Sequence, residues 1–526
     1  MRAIIRVVAV LMCVGQALAD AGLVSQASRT APSLRLPSVI GDHMVLQRGV
    51  AIPVWGWALP GESVSVKLTE HEAQALADDT GRWEVRLPKM QAGGPFEMTV
   101  VAADSRLVIA DILIGEVWVC SGQSNMEMSV QGSQGGFEEV PKAQYPRMRL
   151  FTVEARVAAE PQEDCSGQWS LCSPETAANF SGVSYYFGRE IHREVGVPVG
   201  LVLSALGGTP AEAWTSERTL RSTNDFRTIL DAWDTMMTDY PAKKRAYDKQ
   251  LRQWQKEAAK ARAAGRPIPW EPNTPVGDPK HSYRAAGLYN GMIAPLVPYA
   301  IRGAIWYQGE CNTGRAFRYR ALFPAMITDW RQAWGQGPFP FYFVQLPNFM
   351  ETQSEPGPSD WAELREAQLM TLSLENTGMA VTIDLGEADD IHPMNKIDVG
   401  LRLSRVALAN TYAQAIPYSG PLYRAMRIQG ERIIIEFDHA DGGLAARGGS
   451  ELKGFAIAGD DQIFHWAHAD IEGDTVVVCS DKVPGPVAVR YAWANNPDCN
   501  LHSGAGLPAS PFRTDDWPGV TRGKHY

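Results

Sequence analysis

Between about residues 33 and 105 apolar and polar side chains alternate in short segments, namely Val64, Val66 and Leu68, then Trp83, Val85 and Leu87, then Phe96, Met98 and Val100. A period of two, punctuated by Pro60-Gly61 and Gly93-Gly94, predicts a small antiparallel β domain. The pattern changes at 112–120, a near-continuous apolar run of the kind that forms a strand buried on both faces. Similar runs follow at 198–205, 302–307, 341–346 and 379–384, and each ends in polar or Gly-rich residues. Helical periodicity fills 185–195 and 319–334, and a further helical stretch covers about 395–412. Strands alternating with helices predict an α/β region, about 106–415, built on a parallel sheet covered by helices on both faces. In such sheets ligands gather beyond the carboxyl ends of the strands, so the polar strand ends are where chemistry is expected.

Within that region, about 216–285 reads as a helical insertion. Tyr247, Leu251, Trp254 and Ala258 recur at helical spacing on a surface made basic by Lys243, Lys244, Arg245, Lys249, Arg252 and Lys256. From about 416 to 516 strand-like runs return at 432–437, 475–478 and 487–493, predicting a second β region.

The chain has 526 residues, enough for three or four domains at roughly 150 residues each. Its composition, 45% hydrophobic and 21% charged, is that of an ordinary folded protein and excludes wholesale disorder. The net charge of −10 argues against nucleic acid as a partner, because a phosphate-backbone binder is expected to be basic. At the N-terminus Arg2 and Arg6, a short apolar run and Ala17-Leu18-Ala19 have the form of a secretory signal with cleavage after Ala19. The protein is therefore expected to be exported, periplasmic or secreted, with no membrane span once residues 1–19 are removed. In an oxidising compartment the remaining cysteines are free to pair, and Cys165 with Cys172 and Cys479 with Cys499 are the expected local bridges. No spacing of Cys and His suggests a structural metal site.

The first α/β strand runs directly into Ser121-Gly122-Gln123-Ser124-Asn125. Ser124, just past a buried strand and flanked by small and polar residues, is placed as a nucleophile whose own amide faces a developing oxyanion. A nucleophilic serine needs a base, and Asp389-Asp390-Ile391-His392-Pro393 supplies a histidine with carboxylates close before it, able to hold the imidazole in the required tautomer. Leu206-Gly207-Gly208-Thr209 lets backbone approach a ligand with no Cβ in the way, and Gln308-Gly309-Glu310-Cys311-Asn312 offers a carboxamide donor. Four such blocks at successive strand ends have the parts of an acyl-transfer site.

Together these blocks, Gly122-Gln123-Ser124-Asn125-Met126, Gly207-Gly208-Thr209-Pro210-Ala211-Glu212-Ala213-Trp214, Trp306-Tyr307-Gln308-Gly309-Glu310-Cys311-Asn312 and Asp390-Ile391-His392-Pro393, resemble those of the SGNH-type sialate O-acetylesterase family. Asp42-His43-Met44-Val45-Leu46-Gln47, Leu364-Arg365-Glu366-Ala367-Gln368 and 506–515 extend the resemblance over most of 33–516. It implies a flavodoxin-like SGNH hydrolase core that removes acetyl groups from saccharide hydroxyls with no metal or organic cofactor.

Carried over residue by residue, the resemblance implies Ser124 as nucleophile, His392 as base and Asp390 as the orienting acid, with Asp389 as the alternative. The Ser124, Gly207 and Gly208 amides and Asn312 are the implied oxyanion donors, and Gln123, Trp214, Gln308, Glu310 and Arg365 the candidates for positioning sugar. Cys311 stands where relatives commonly carry Ser, which puts a thiol, or a disulfide to Cys120, near the site. Acetylated sialic acid and acetylated hemicellulose such as xylan or xyloglucan are alternative substrates. A non-catalytic glycan-binding protein and a long-chain lipase are the competing classes.

Overall fold

A computed structural model describes residues 34–524, so the expected signal segment 1–19 lies outside the described residues. Among the described residues no helix is long and apolar enough to cross a membrane. At the centre of the fold is the 18-residue strand Ser105–Gly122, whose second half is buried from Ile112 to Gly122. Val199–Ala205 and Gly303–Tyr307 flank it on either side, and both run parallel to it. Phe341–Gln345 and Thr377–Val381 extend the sheet, again in parallel, beyond Gly303–Tyr307. Taken in chain order these five strands have the spatial order 2-1-3-4-5 of a flavodoxin-like doubly wound sheet. Two more strands, Tyr145–Thr152 and the antiparallel Trp169–Cys172, widen the edge beyond Val199–Ala205.

Alternate residues of the sheet face opposite helical layers. Trp118 packs edge-on against Phe187 of the helix Gly182–Val195, on the side also covered by Lys396–Asn410. Trp306, on the other face, stacks with Phe323 of Ala316–Trp334, which packs on Asp360–Met370. Full burial of such indoles is among the largest single contributions to a core.

The first half of the central strand belongs to the N-terminal β region. Its residues 105–114 pair antiparallel with Gly93–Ala102, so no linker separates that region from the α/β core. Strand Ser63–Leu68 shows the expected alternation, with Val64, Val66 and Leu68 turned inward. Gly93-Gly94, expected as a turn, instead lies within a strand where the ladder register shifts at a bulge. Trp55 meets Tyr299 at 6.3 Å, and the apolar core runs without a break from this region into the α/β sheet. By contrast the C-terminal region has its own core, centred on Ile433, Ile435, Val476, Val489 and Phe512, within two four-stranded antiparallel sheets.

The 216–285 segment is dominated by one helix of 40 residues, Asn224–Ala263, closed back on itself where the Trp254 indole donates to the Pro269 carbonyl at 2.8 Å.

The expected disulfides are corrected, since Cys120, Cys165, Cys172, Cys311, Cys479 and Cys499 are all free thiols. Closeness in sequence does not bring the sulfurs together. Cys172 turns towards the Ala143 carbonyl, Cys120 towards the Trp118 carbonyl, and Cys311 lies 3.9 Å from the Tyr283 hydroxyl. Burial pushes the Cys120, Cys165 and Cys172 thiols up to about 12, which makes them poor nucleophiles and places them as packing residues.

Candidate active site

The central strand ends at Gly122 with φ +143°, where a Cβ would come within 2.1 Å of the Tyr307 carbonyl oxygen on the neighbouring strand. Only glycine lets the two strand ends close so tightly. The Gln123 amide then donates to that same Tyr307 oxygen at 3.0 Å, turning the chain into the one-turn helix Ser124–Glu127. Ser124 is its first residue, so its amide has no intrahelical acceptor and remains open. The serine thus stands at the carboxyl end of the central strand, where the order of the strands across the sheet reverses.

His392 reaches Ser124 from the loop after Thr377–Val381. Its Nε2 lies 2.9 Å from Ser124 Oγ, a hydrogen bond in which the hydroxyl donates when the imidazole is neutral. Asp390 shapes the loop by accepting from the His392 amide at 2.8 Å, while the same Oδ1 lies 3.5 Å from His392 Nδ1. That second separation is within ion-pair reach but longer than a good hydrogen bond. Of the two aspartates the resemblance left open, Asp390 is the one in contact with the imidazole; Asp389 is exposed and makes no such contact. Pro393 follows, and Asn395 caps the helix Lys396–Asn410 by accepting from the Asp398 amide at 3.0 Å.

Gly207 borders the serine, since a Cβ there would lie 3.3 Å from Ser124 Cβ. Its amide already has an acceptor, however: Glu127 Oε2, at 2.8 Å. Gly208 is exposed, adopts φ +66° and has open space around its Cα.

Several sequence expectations are revised by burial. Asn312, expected as an oxyanion donor, is 1% exposed and spends its carboxamide on a brace, accepting from the Ala211 amide and Gln308 Nε2 and donating to Glu212. Gln308 is bound up in the same brace, donating also to the Thr209 carbonyl and accepting from Tyr319. Trp214, expected to meet sugar, lies in the core, its indole donating to Thr209 Oγ1 and packed edge-on to Trp306. Gln123 is buried with its Oε1 towards the Gly309 amide. Arg365 is wholly buried and donates to the carbonyls of Leu346, Pro347, Ala494 and Asn495. Burial pulls its guanidinium down to about 9, so it is a clamp between core and C-terminal region rather than a group facing ligand. Glu310 too is buried, but it belongs to a chain of contacts that ends at the loop carrying His392.

That chain runs through Asn125, the residue after the serine. Asn125 Nδ2 donates to Glu310 Oε1 at 2.6 Å and to the carbonyl of Ile391, next to His392, at 3.0 Å. Its Oδ1 accepts from Lys396 Nζ at 2.6 Å. One side chain therefore fastens the serine turn to the histidine loop. Burial raises the Glu310 carboxyl above the usual carboxylate range, against the opposing pull of Asn125 and Lys396. Burial also lowers the Lys396 ammonium to about 8. Sequence reading missed Asn125, Lys396 and Glu127; the one signal was position, Asn125 and Glu127 lying within a turn of the serine. Among the described residues no group of His, Cys, Asp and Glu is placed to hold a metal ion.

Residues 114–415 match the family described as carbohydrate esterase, sialic acid-specific acetylesterase. The chain is 30% identical to the sialate O-acetylesterase of Rattus norvegicus over 93% of its own length and 96% of the relative's. It is 29% identical to the Homo sapiens protein of that name, covering 92% of this chain and 94% of that one. A solved structure of a carbohydrate acetylesterase from Xanthomonas citri is 37% identical and superposes with a TM-score of 0.78, covering 92% of this chain and all of that one. On the match across its α/β core and the full-length likeness to these relatives, the chain belongs to the sialic acid-specific acetylesterase family of carbohydrate esterases and is a carboxylic ester hydrolase.

Proposed function

We propose that the protein is an exported carbohydrate O-acetylesterase that removes acetyl groups from sugar hydroxyls through an acetyl-serine intermediate. The observation that carries this reading is the 2.9 Å contact between Ser124 Oγ and His392 Nε2 at the carboxyl edge of the sheet. His392 Nε2 takes the Ser124 proton as Oγ attacks the acetyl carbonyl, and the charge on the tetrahedral oxygen is met by the amides of Ser124 and of Gly207 or Gly208. Collapse breaks the bond to the sugar oxygen, which leaves with the proton from His392. Water, deprotonated by the same nitrogen, then attacks the acetyl-serine and releases acetate, returning the proton to Oγ. Asp390 holds the ring and offsets the imidazolium charge. Asn312 braces the loop that follows Gly207 and Gly208, one Nδ2 hydrogen going to Glu212.

Export rests on the leader-like residues at the N-terminus. O-acetylated sialic acid is the substrate suggested by the names of the curated relatives, and acetylated hemicellulose is the alternative. Acetate release from a panel of acetylated sialosides, xylan and xyloglucan tests the substrate. Nitrophenyl acetate hydrolysis tests the mechanism, with a fall of at least about 10⁴ expected for Ser124→Ala and for His392→Ala. Unchanged turnover in either variant refutes it, and equal cleavage of octanoate and acetate esters would point to a lipase.

A further inference from the structure

A cavity of about 370 Å³ opens between the C-terminal region and the 354–358 loop of the core, and none of the residues discussed at Ser124 lines it. Its volume falls in the range of small-molecule sites. The walls are Trp466, Trp493, Trp517, Phe464 and Ile463, with Arg490 as the charged side chain. Three indoles around one opening are unusual for a surface. Trp466 is 43% exposed, yet its ring is fixed by an indole hydrogen bond to the Ser354 carbonyl at 2.7 Å. Phe464 and Trp517 meet at 5.5 Å, tilted by 58°.

The charge in this cavity is already spent. Arg490 forms a two-pronged pair with Asp515, both contacts at 2.8 Å. Its guanidinium carbon lies 4.1 Å from the Phe464 centroid and 5.1 Å from that of Trp493, so aromatic rings cover it. A ligand carboxylate would have to break the Asp515 pair to be held, and an uncharged ligand would not. Rigid electron-rich rings with a polar edge suit a molecule whose faces are C–H and whose rim is hydroxyl, which describes a pyranose.

One segment of chain touches both the cavity and the loop that leads to His392. The 347–358 segment lines it at Pro356, Gly357 and Pro358. The same segment holds the approach to the histidine, because Met350 donates from its amide to the Ala388 carbonyl at 3.0 Å and Asn348 Oδ1 accepts from the Gly386 amide at 2.7 Å.

We propose that this cavity is a second saccharide-binding site that takes a neutral pyranose unit of the carbohydrate whose acetyl ester is cleaved at Ser124. The link to catalysis rests on the esterase reading, whereas binding itself does not. Titration calorimetry of the full-length Ser124→Ala protein with xylohexaose, cellohexaose and 3′-sialyllactose tests it. Binding of at least one neutral hexasaccharide is expected, weakened about tenfold by Trp466→Ala or Trp517→Ala, a change equivalent to about 1.4 kcal/mol. Trp466→Ala in the otherwise native enzyme should leave nitrophenyl acetate turnover unchanged, which also shows that it folds, while KM for the acetylated polymer rises and kcat holds. Failure of both neutral hexasaccharides to bind, equal affinity in the tryptophan variants, or preference for sialyllactose overturns the proposal. Loss of the esterase reading would show separately, as nitrophenyl acetate turnover that survives Ser124→Ala.

Discussion

Glu127 holds the amide of Gly207, its carboxylate oxygen 2.8 Å from a backbone nitrogen that borders the Ser124 side chain. In the proposed reaction that N–H is wanted by the oxyanion, so the carboxylate has to leave before the amide can serve. Glu127 is exposed, which makes the swing cheap, and a hydrogen bond to a charged acceptor nets about 1.5–3 kcal/mol at most. Glu127→Ala is expected to raise kcat/KM for nitrophenyl acetate by about 3- to 10-fold, exposure discounting the full value. Steady-state kinetics read the outcome, and a fall would mean that the carboxylate holds substrate instead.

Asp390 and Asp389 separate cleanly. With Asp390 in contact with His392 and Asp389 exposed beside it, Asp390→Asn should lower kcat by about 10² or more, less than the 10⁴ seen for buried triad acids. Asp389→Asn should stay within about twofold, as surface changes do. Equal losses in the two variants would deny Asp390 its role.

Asn125 joins two loops that the mechanism needs in register. Asn125→Ala removes the contact to the Ile391 carbonyl and leaves Glu310 and Lys396 without their shared partner. A kcat loss of about 10-fold or more with KM little changed is expected, because misplacement of a general base costs rate. Asn125→Asp, which can keep the contact to Lys396 but not the donor to Glu310, should not rescue it.

Arg365 predicts a stability defect without a binding defect. Arg365→Ala would leave unpaired four carbonyls that it now satisfies, and an unsatisfied buried acceptor costs about 1–3 kcal/mol. Thermal melting should show a large fall in Tm, and the folded fraction should keep its KM for acetylated substrate.

Asp384 predicts the acid limb of stability. Burial alone would raise its carboxyl, but hydrogen bonds from Arg402 and the nearby His502 imidazole outweigh burial and hold it well below the usual carboxylate range. A depressed carboxylate stabilises the fold above its unfolded value near 3.9, and that stability is lost as pH falls further towards its folded value. Because Arg447 and His502 come from the C-terminal region, acid should loosen that region from the core. Denaturant melts between pH 5 and 2.5 should show a steeper loss in the native protein than in Asp384→Asn.

The strands and helices of the core were legible because burial on both faces writes itself as apolar runs. Tyr145–Thr152 and the edge strand Trp169–Cys172 escaped notice because exposed positions and the charged Arg147 and Arg149 break up any apolar run there. At the site, Ser124 and His392 were readable from local chemistry at strand ends. The sugar-positioning residues were not: Trp214, Gln308 and Arg365 are polar or aromatic residues satisfied internally, and sequence does not distinguish a side chain that donates to its own backbone from one that awaits a ligand. The aromatic cavity was equally hidden, since Trp466, Trp493 and Trp517 converge only after the strands of one C-terminal sheet have paired and a distant loop has packed on them.

Because the Ser105–Gly122 strand serves the N-terminal β region with one half and carries the nucleophile at the end of the other, the hydrolytic portion is not a detachable cassette. Truncation near residue 104 would strip the ladder from the strand that aims Ser124, whereas the C-terminal side carries a separate core of its own.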